Sequence, residues 1–195
     1  MDRQALLTSV PGGEERLLFA RALDQAVFAI RRKQPAFTDF MDRAKCARFQ
    51  ERLQGIRGLC MMCFGGGEDC ERQQMGFSLE PLTAEDFPIT IIKIRRKNKK
   101  FGQADLSHRD YLGSLLGLGI DRGKVGDILV AQDAAVCFVA EELAPYITAV
   151  LEQVSKTAVV AEETEQPEDI PVRQTEERRL TVASLRLDAV MSEAF

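Results

Sequence analysis

The stretch Ile89-Thr90-Ile91-Ile92-Lys93-Ile94 begins the part of the chain that decides the fold. Its β-branched residues predict a strand, and strand and helix patterns alternate from there on. The later elements are a helix that opens at Ser107 and closes at Gly117 and Gly119, strands at 127–131 and 135–140, a helix at 141–154 and a strand at 158–160. The order β-α-β-β-α-β predicts a ferredoxin-like sheet, with both helices on one face and the other face free to bind.

The preceding residues predict a separate N-terminal module at 1–87. Phe19, Leu23, Val27 and Ile30 share one helical face, which predicts a helix over 14–32. A second helix is expected over 39–55, with Thr38 or Asp39 as its N-cap, and a buried strand over 59–64. The fold class is therefore α+β, an N-terminal α/β module followed by a ferredoxin-like domain at 88–163, with an acidic segment at 164–195.

Composition places the chain among ordinary soluble proteins. Of its 195 residues 45% are hydrophobic and 29% charged, and no apolar run approaches the roughly 18 residues that span a bilayer. The start of the chain lacks a signal-peptide pattern, so we expect a cytoplasmic protein. The net charge of −4 argues against nucleic-acid binding, but residues 161–195 alone hold 9 acidic against 4 basic residues. The acidity is thus concentrated in the tail.

The five cysteines are odd in number and lie mostly in apolar stretches, which favours free thiols. Cys60, Cys63 and Cys70 raise zinc binding as an alternative. A structural zinc site needs four ligands, and no fourth Cys or His lies nearby. We therefore expect neither a metal nor another cofactor.

A basic tract at the exit of the first strand of the second domain is the main functional signal. Six cations fall within eight residues, with no acidic residue among them: Lys93, Arg95, Arg96, Lys97, Lys99 and Lys100. Such a density of like charge favours a polyanion nearby, because Lys and Arg contacts to phosphate release counterions. The alternative is a solvated basic loop.

Two more pairs of residues extend this signal. His108 and Arg109 occupy the first turn of a helix, where the helix dipole disfavours cations. A phosphate bound at this helix end would account for them. The alternative is that Asp105 and Asp110 neutralise them locally. No nucleophile accompanies His108, so catalysis is not expected. Arg122 and Lys124 lie in the glycine-rich turn 119–127, which either adds to the basic surface or only connects two elements.

Several motifs resemble the YlmH family of bacterial proteins. They are Ser107–Ile120, Lys124–Val130, Gly65-Gly66 with Glu71-Arg72, and Ser184–Val190. The resemblance implies an N-terminal module, an RNA-binding domain similar to an RNA-recognition motif, and a C-terminal S4 domain, of which we expect only a truncated start here. It also implies ribosome association, links to cell division and no catalytic activity.

Two departures qualify the resemblance. Gly67 stands where the family more often has an aromatic residue, and Phe138 is the sole aromatic residue on the third strand of the second domain. Base stacking on paired sheet aromatics is therefore not expected, and binding should depend on RNA shape and phosphate. We expect ribosomal RNA, of the large subunit, or transfer RNA as the partner. The alternative is a protein-interaction module whose N-terminal helices bind a division or ribosomal protein.

Overall fold

The computed structural model describes residues 3–67, 69–97, 105–131 and 134–165, which form two α+β units in contact with each other. The helices of the first unit are α1 (Arg3–Thr8), α2 (Glu14–Arg32) and α3 (Arg43–Leu53). Its strands are β1 (Ala36–Phe37), β2 (Met41–Asp42), β3 (Cys60–Phe64) and β4 (Arg72–Ser78). The acidic segment predicted at 164–195 lies outside the described residues from position 166 onward.

Strand β4 is the centre of the N-terminal unit, pairing antiparallel with β1, β2 and β3. Helices α2 and α3 pack on it, and Phe19, Phe49 and Phe77 are fully buried in the shared core. The sequence at 71–88 is ambiguous and indicates one more strand and a connector without bounds; β4 is that strand. The second helix starts at Arg43 rather than 39, because β1 and β2 take up the residues before it. The Thr38 hydroxyl accepts a hydrogen bond from the Met75 backbone N–H (2.9 Å) and does not cap a helix.

The second unit has the predicted ferredoxin-like order, with one extra short strand. Its elements are β5 (Ile89–Arg96), α4 (His108–Gly117), β6 (Val125–Val130), β7 (Ala134–Ala140), α5 (Ala144–Val150), β8 (Gln153–Val154) and β9 (Thr157–Thr164). Short 3-10 turns cover Ala84–Asp86, Arg122–Lys124 and Glu141–Leu143. The strand order is β6-β7-β5-β9-β8, with antiparallel neighbours throughout. The predicted α+β class is confirmed.

The last helix is shorter than its hydrophobic pattern suggested. A helix over 141–154 was predicted, but α5 ends at Val150. Val154 instead pairs with Thr157 across a tight hairpin in which Ser155 has φ of 54°. Leu151 and Val154 are both buried, at positions where a longer α5 would also place apolar residues. The hydrophobic spacing therefore does not distinguish the hairpin from a further turn of helix.

The sheet face opposite α4 and α5 is not left free, contrary to the sequence-based expectation. Phe138 is fully buried on this face, where it clusters with Phe40 and Cys70 of the N-terminal unit. A Cβ atom on Gly66 would lie 2.2 Å from the Phe138 ring, so the backbone of the glycine turn contacts the ring directly. The N-terminal unit therefore occupies part of the surface that was expected to bind a ligand.

Helix α4 begins with the capping box predicted from its sequence. The Ser107 hydroxyl accepts from the Asp110 N–H (3.4 Å), and the Ser107 N–H donates to the Asp110 carboxylate (2.8 Å). The Ser107 hydroxyl also donates to the Asp110 carboxylate (2.6 Å), and this bond, followed by the one from the Ser107 N–H, holds the pKa of Asp110 below its usual range. We expect Ser107→Ala to lower the free energy of unfolding by about 1 kcal/mol, measured by urea denaturation. Ser107→Asp keeps an N-cap acceptor and should retain most of this stability; equal stability of the alanine variant would contradict the prediction.

Candidate nucleic-acid interface

The predicted RNA-binding residues fall into two groups at opposite ends of the second sheet. Arg95 pairs with Ala134 on β7, whereas Val125, which follows Lys124, pairs with Val139 and so lies level with Thr90. Five strand residues separate these levels, which corresponds to roughly 17 Å. The first group, the β5-end cluster, comprises Lys93, Arg95, Arg96, Lys97, His108 and Arg109. The second contains Arg122 and Lys124, while Lys99 and Lys100 lie outside the described residues.

Lys93 and Arg95 lie on the face of β5 that points away from the helices, because they alternate with buried Ile92 and Ile94. The Arg95 guanidinium forms an ion pair with Glu162 on β9 at 2.7 Å, and Lys93 faces the same glutamate in the strand register. About half of each side chain in the Arg95–Glu162 pair is exposed. An exposed pair contributes only about 0–1 kcal/mol, so a phosphate could replace the carboxylate at little cost.

Arg96 differs from its neighbours, since only 8% of its side chain is exposed. It lies on the helix side of β5, 3.8 Å from the Asp105 carboxylate just before α4. Burial raises the pKa of nearby Tyr111, and the Arg96 charge opposes that rise. Arg96 thus has little surface to offer a phosphate. Lys97 is exposed, and its backbone N–H donates to Ala158 (2.9 Å), which ties the strand end to β9.

His108 and Arg109 are both exposed at the start of α4. Arg109 lines an open cavity of about 490 Å³ between α4 and the β8–β9 hairpin, together with Gln153 and Ser155. Because Lys97 is bonded to the same hairpin strand, Arg109 and Lys97 belong to one end of the domain. Lys93 and Arg95 lie on the other face of the sheet at this end, so the predicted cations share one end of the domain but not one face. Whether this end binds RNA stays a prediction.

Arg122 and Lys124 have internal partners at the contact between the two units. Arg122 donates to the carbonyl oxygens of Val125 and Gly126. The Lys124 ammonium lies 2.9 Å from both Asp39 and Glu142, and hydrogen bonding to Glu142, then to Asp39, raises the pKa of this lysine. These partners give both residues a structural role. Their part in RNA binding stays a prediction.

A buried arrangement of Arg72 and Asp127 joins the units and was not predicted from the sequence. The Asp127 carboxylate accepts from the backbone N–H groups of Glu71 (2.8 Å) and Arg72 (3.0 Å). The Arg72 guanidinium donates to the backbone carbonyl oxygens of Phe40 (2.8 Å) and, through Nε, of Val125 (3.0 Å). Burial lowers the pKa of Arg72, but an arginine remains protonated in proteins. We call this set of contacts the interdomain clasp. Glu71-Arg72 and Asp127 both belong to motifs that resemble the YlmH family, but nothing in the sequence indicated that they contact each other.

The cysteines are free thiols in the structure. Burial raises the pKa of Cys137 to about 12, while contact with Cys63 together with burial raises that of Cys46. The strand predicted over 59–64 is present as β3, but its residues, Cys60 and Cys63 among them, are half-buried rather than buried. Among the described residues, no three His, Cys, Asp or Glu side chains are grouped so that they could hold a metal ion.

The fold and the site define an α+β protein whose ferredoxin-like domain ends in a cationic cluster and is fixed to an N-terminal unit. A family model described as "Putative RNA-binding domain in YlmH" matches residues 82–168. Ribosome-associated protein quality control protein P2 of Bacillus subtilis (strain 168) is 34% identical over 183 residues, covering 91% of this chain and 68% of that protein. The chain belongs to the YlmH family.

A solved structure agrees with this assignment at the level of the fold. Cell division protein ylmH from Streptococcus pneumoniae matches with a TM-score of 0.68 at 18% identity, over 83% of this chain and 98% of that one. None of the helices in the described ranges is both long and apolar enough to cross a membrane.

Proposed function

We propose that this protein is a non-catalytic, cytoplasmic RNA-binding protein that associates with the ribosome. The β5-end cluster carries the proposal, because it brings Lys93, Arg95, Lys97 and Arg109 to one end of the domain matched by the RNA-binding family model. The name of the Bacillus subtilis relative supports ribosome association. The partner RNA is ribosomal, in the large subunit, or transfer RNA.

The form of the cluster favours phosphate contacts over base reading. Phe138, the aromatic residue of β7, is fully buried against the N-terminal unit, so it is not available for stacking. Lys93, Arg95 and Lys97 lie near the C-terminal end of β5, and Arg109 lies beside the β8–β9 hairpin at the same end of the domain. Contacts with the phosphate backbone of RNA give an affinity that depends on salt concentration rather than on base sequence.

Binding to large-subunit RNA across a salt series tests the proposal. We expect Lys93→Ser/Arg95→Ser/Lys97→Ser to weaken binding at low salt and to flatten the plot of log affinity against log salt. Each lost phosphate contact should reduce the slope by roughly 0.7–0.9. Fluorescence anisotropy with the full chain measures both quantities.

The matched control changes three cations of the N-terminal unit, Arg21→Ser/Arg32→Ser/Lys33→Ser, and removes the same net charge. This control should retain most of the affinity and the slope. If both triple variants bind like the unmodified chain, the β5-end cluster is not the RNA site. If both lose affinity equally, only net charge matters and the local site is refuted.

A further inference from the structure

A groove on the N-terminal unit combines an apolar floor with a cationic rim, remote in sequence from the β5-end cluster. The groove encloses about 780 Å³ between α1, α2 and the turn that follows α3. Its floor is formed by aliphatic side chains, namely Leu6, Val27, Ile30 and Ile56. Ile30 is 37% exposed, which is a large fraction for an isoleucine in a folded unit.

Three arginines, Arg31, Arg52 and Arg57, form the rim. Within the described ranges their guanidinium groups take part in no ion pair or side-chain hydrogen bond, and no carboxylate lines the groove. The turn that carries Arg57 is defined by the backbone bond from Ile56 to Leu53 (3.0 Å) and by Gly58, with φ of 74°. The cations are thus presented by ordered backbone rather than by the end of the chain.

We propose that this groove binds an acidic amphipathic helix of a partner protein. An aliphatic groove between helices receives the apolar face of a helix, with anchors at positions i, i+3, i+4 and i+7. Carboxylates on the flanks of such a helix would form charge-assisted bonds with Arg31, Arg52 and Arg57. The partner's negative charge is required because the rim supplies cations only.

Two other occupants fit the groove less well. RNA phosphates would pair with the arginine rim but would leave the aliphatic floor exposed to water, so RNA uses only half of the groove. A second copy of this chain, docked about a two-fold axis, would place the same cationic rim against itself. Like charges facing each other in an interface oppose association. An acidic helix avoids both difficulties.

The test uses the full chain and a fluorescein-labelled synthetic helix with leucines at helical spacing and glutamates at most other positions. One control peptide has the same composition in scrambled order, and a second replaces every glutamate with lysine. We expect the acidic amphipathic peptide to bind at least about tenfold more tightly than either control, with affinity that falls as salt rises. Fluorescence anisotropy measures the three dissociation constants.

Variants of the groove make the test specific to this surface. Combined Arg31→Glu/Arg52→Glu/Arg57→Glu should weaken the acidic peptide at least about tenfold, and Ile30→Asp should do the same through the floor. The single variant Arg57→Glu changes one side chain in an exposed turn, so its affinity for the acidic peptide can be measured without risk to the fold. Arg32→Glu, one position along α2 and outside the groove, is the matched control and should cost less than about threefold.

The outcomes separate this proposal from the RNA-binding proposal. The Lys93→Ser/Arg95→Ser/Lys97→Ser variant should bind the acidic peptide normally, whatever its affinity for RNA. Equal binding of the scrambled peptide, or equal losses in the Arg32→Glu and triple groove variants, would overturn the proposal. The proposal would also be overturned if the acidic peptide did not bind and only the triple groove variant lost affinity for RNA. A dimer that is seen by sedimentation velocity and disappears in the groove variants would overturn it as well.

Discussion

Gly66→Ala should lower the free energy of unfolding by about 3 kcal/mol. Gly66 has φ of 100°, which side chains with a Cβ rarely adopt, and an added Cβ would lie 2.2 Å from the Phe138 ring. Overpacking a filled core costs about 1–3 kcal/mol, and backbone strain at positive φ adds of the order of 1 kcal/mol. Chemical denaturation of the full chain, followed by circular dichroism, measures the loss.

Gly67 provides a matched control one residue away. A Cβ there would be 3.5 Å from the Cys70 sulfur and 3.7 Å from Phe138, which is ordinary van der Waals contact. Gly67→Ala should therefore change stability by less than about 1 kcal/mol. Equal losses in the two variants would show that the glycine turn, rather than its contact with Phe138, determines the effect.

Asp127→Ala should destabilise the protein by about 3 kcal/mol through loss of the interdomain clasp. Asp127 is 7% exposed and accepts the backbone N–H groups of Glu71 and Arg72. The substitution leaves these two backbone donors without an acceptor, while the Arg72 guanidinium keeps the Asp42 carboxylate at 3.9 Å. Each donor left unsatisfied in a buried position costs about 1–3 kcal/mol. Urea denaturation gives the total loss, and amide hydrogen exchange of β4 and β6 shows whether it is centred on the clasp.

Asp121 is the control for this second substitution. Its carboxylate also accepts a backbone bond, from Gly123 at 2.7 Å, but the residue is exposed. Asp121→Ala should cost about 1 kcal/mol or less, because water can replace the lost acceptor. The role assigned to the clasp would be refuted if Asp121→Ala and Asp127→Ala had the same effect, or if exchange increased uniformly over the chain.

The sequence predicts those elements whose pattern is local. Helix α2, the Ser107 capping box and the ferredoxin-like order follow from hydrophobic spacing and from turn residues close in the chain. The sequence indicated a further strand within 71–88 but not its bounds, because β4 begins with three polar residues although three partner strands pair with it. Burial of Gln73 and Gln74 depends on long-range pairing, which no local pattern encodes.

The candidate site shows the same limit. A dense basic tract indicates charge but not direction, so the sequence could not reveal that Arg96 points toward α4 while Arg95 points to the opposite face. Nor could it reveal that Asp39 and Glu142, which lie 103 positions apart, both contact Lys124. Contacts between the units assign these cations to different roles, and such contacts exist only after folding.

The burial of Phe138 under the N-terminal unit has a consequence for selectivity. In sheets that read single strands, an aromatic side chain at the centre supplies a platform for unstacked nucleotides. Here that platform serves to join two units, so discrimination among RNAs would have to come from helical contour and groove width. Exchanging base pairs in a duplex while keeping its geometry should then leave recognition by this domain unchanged.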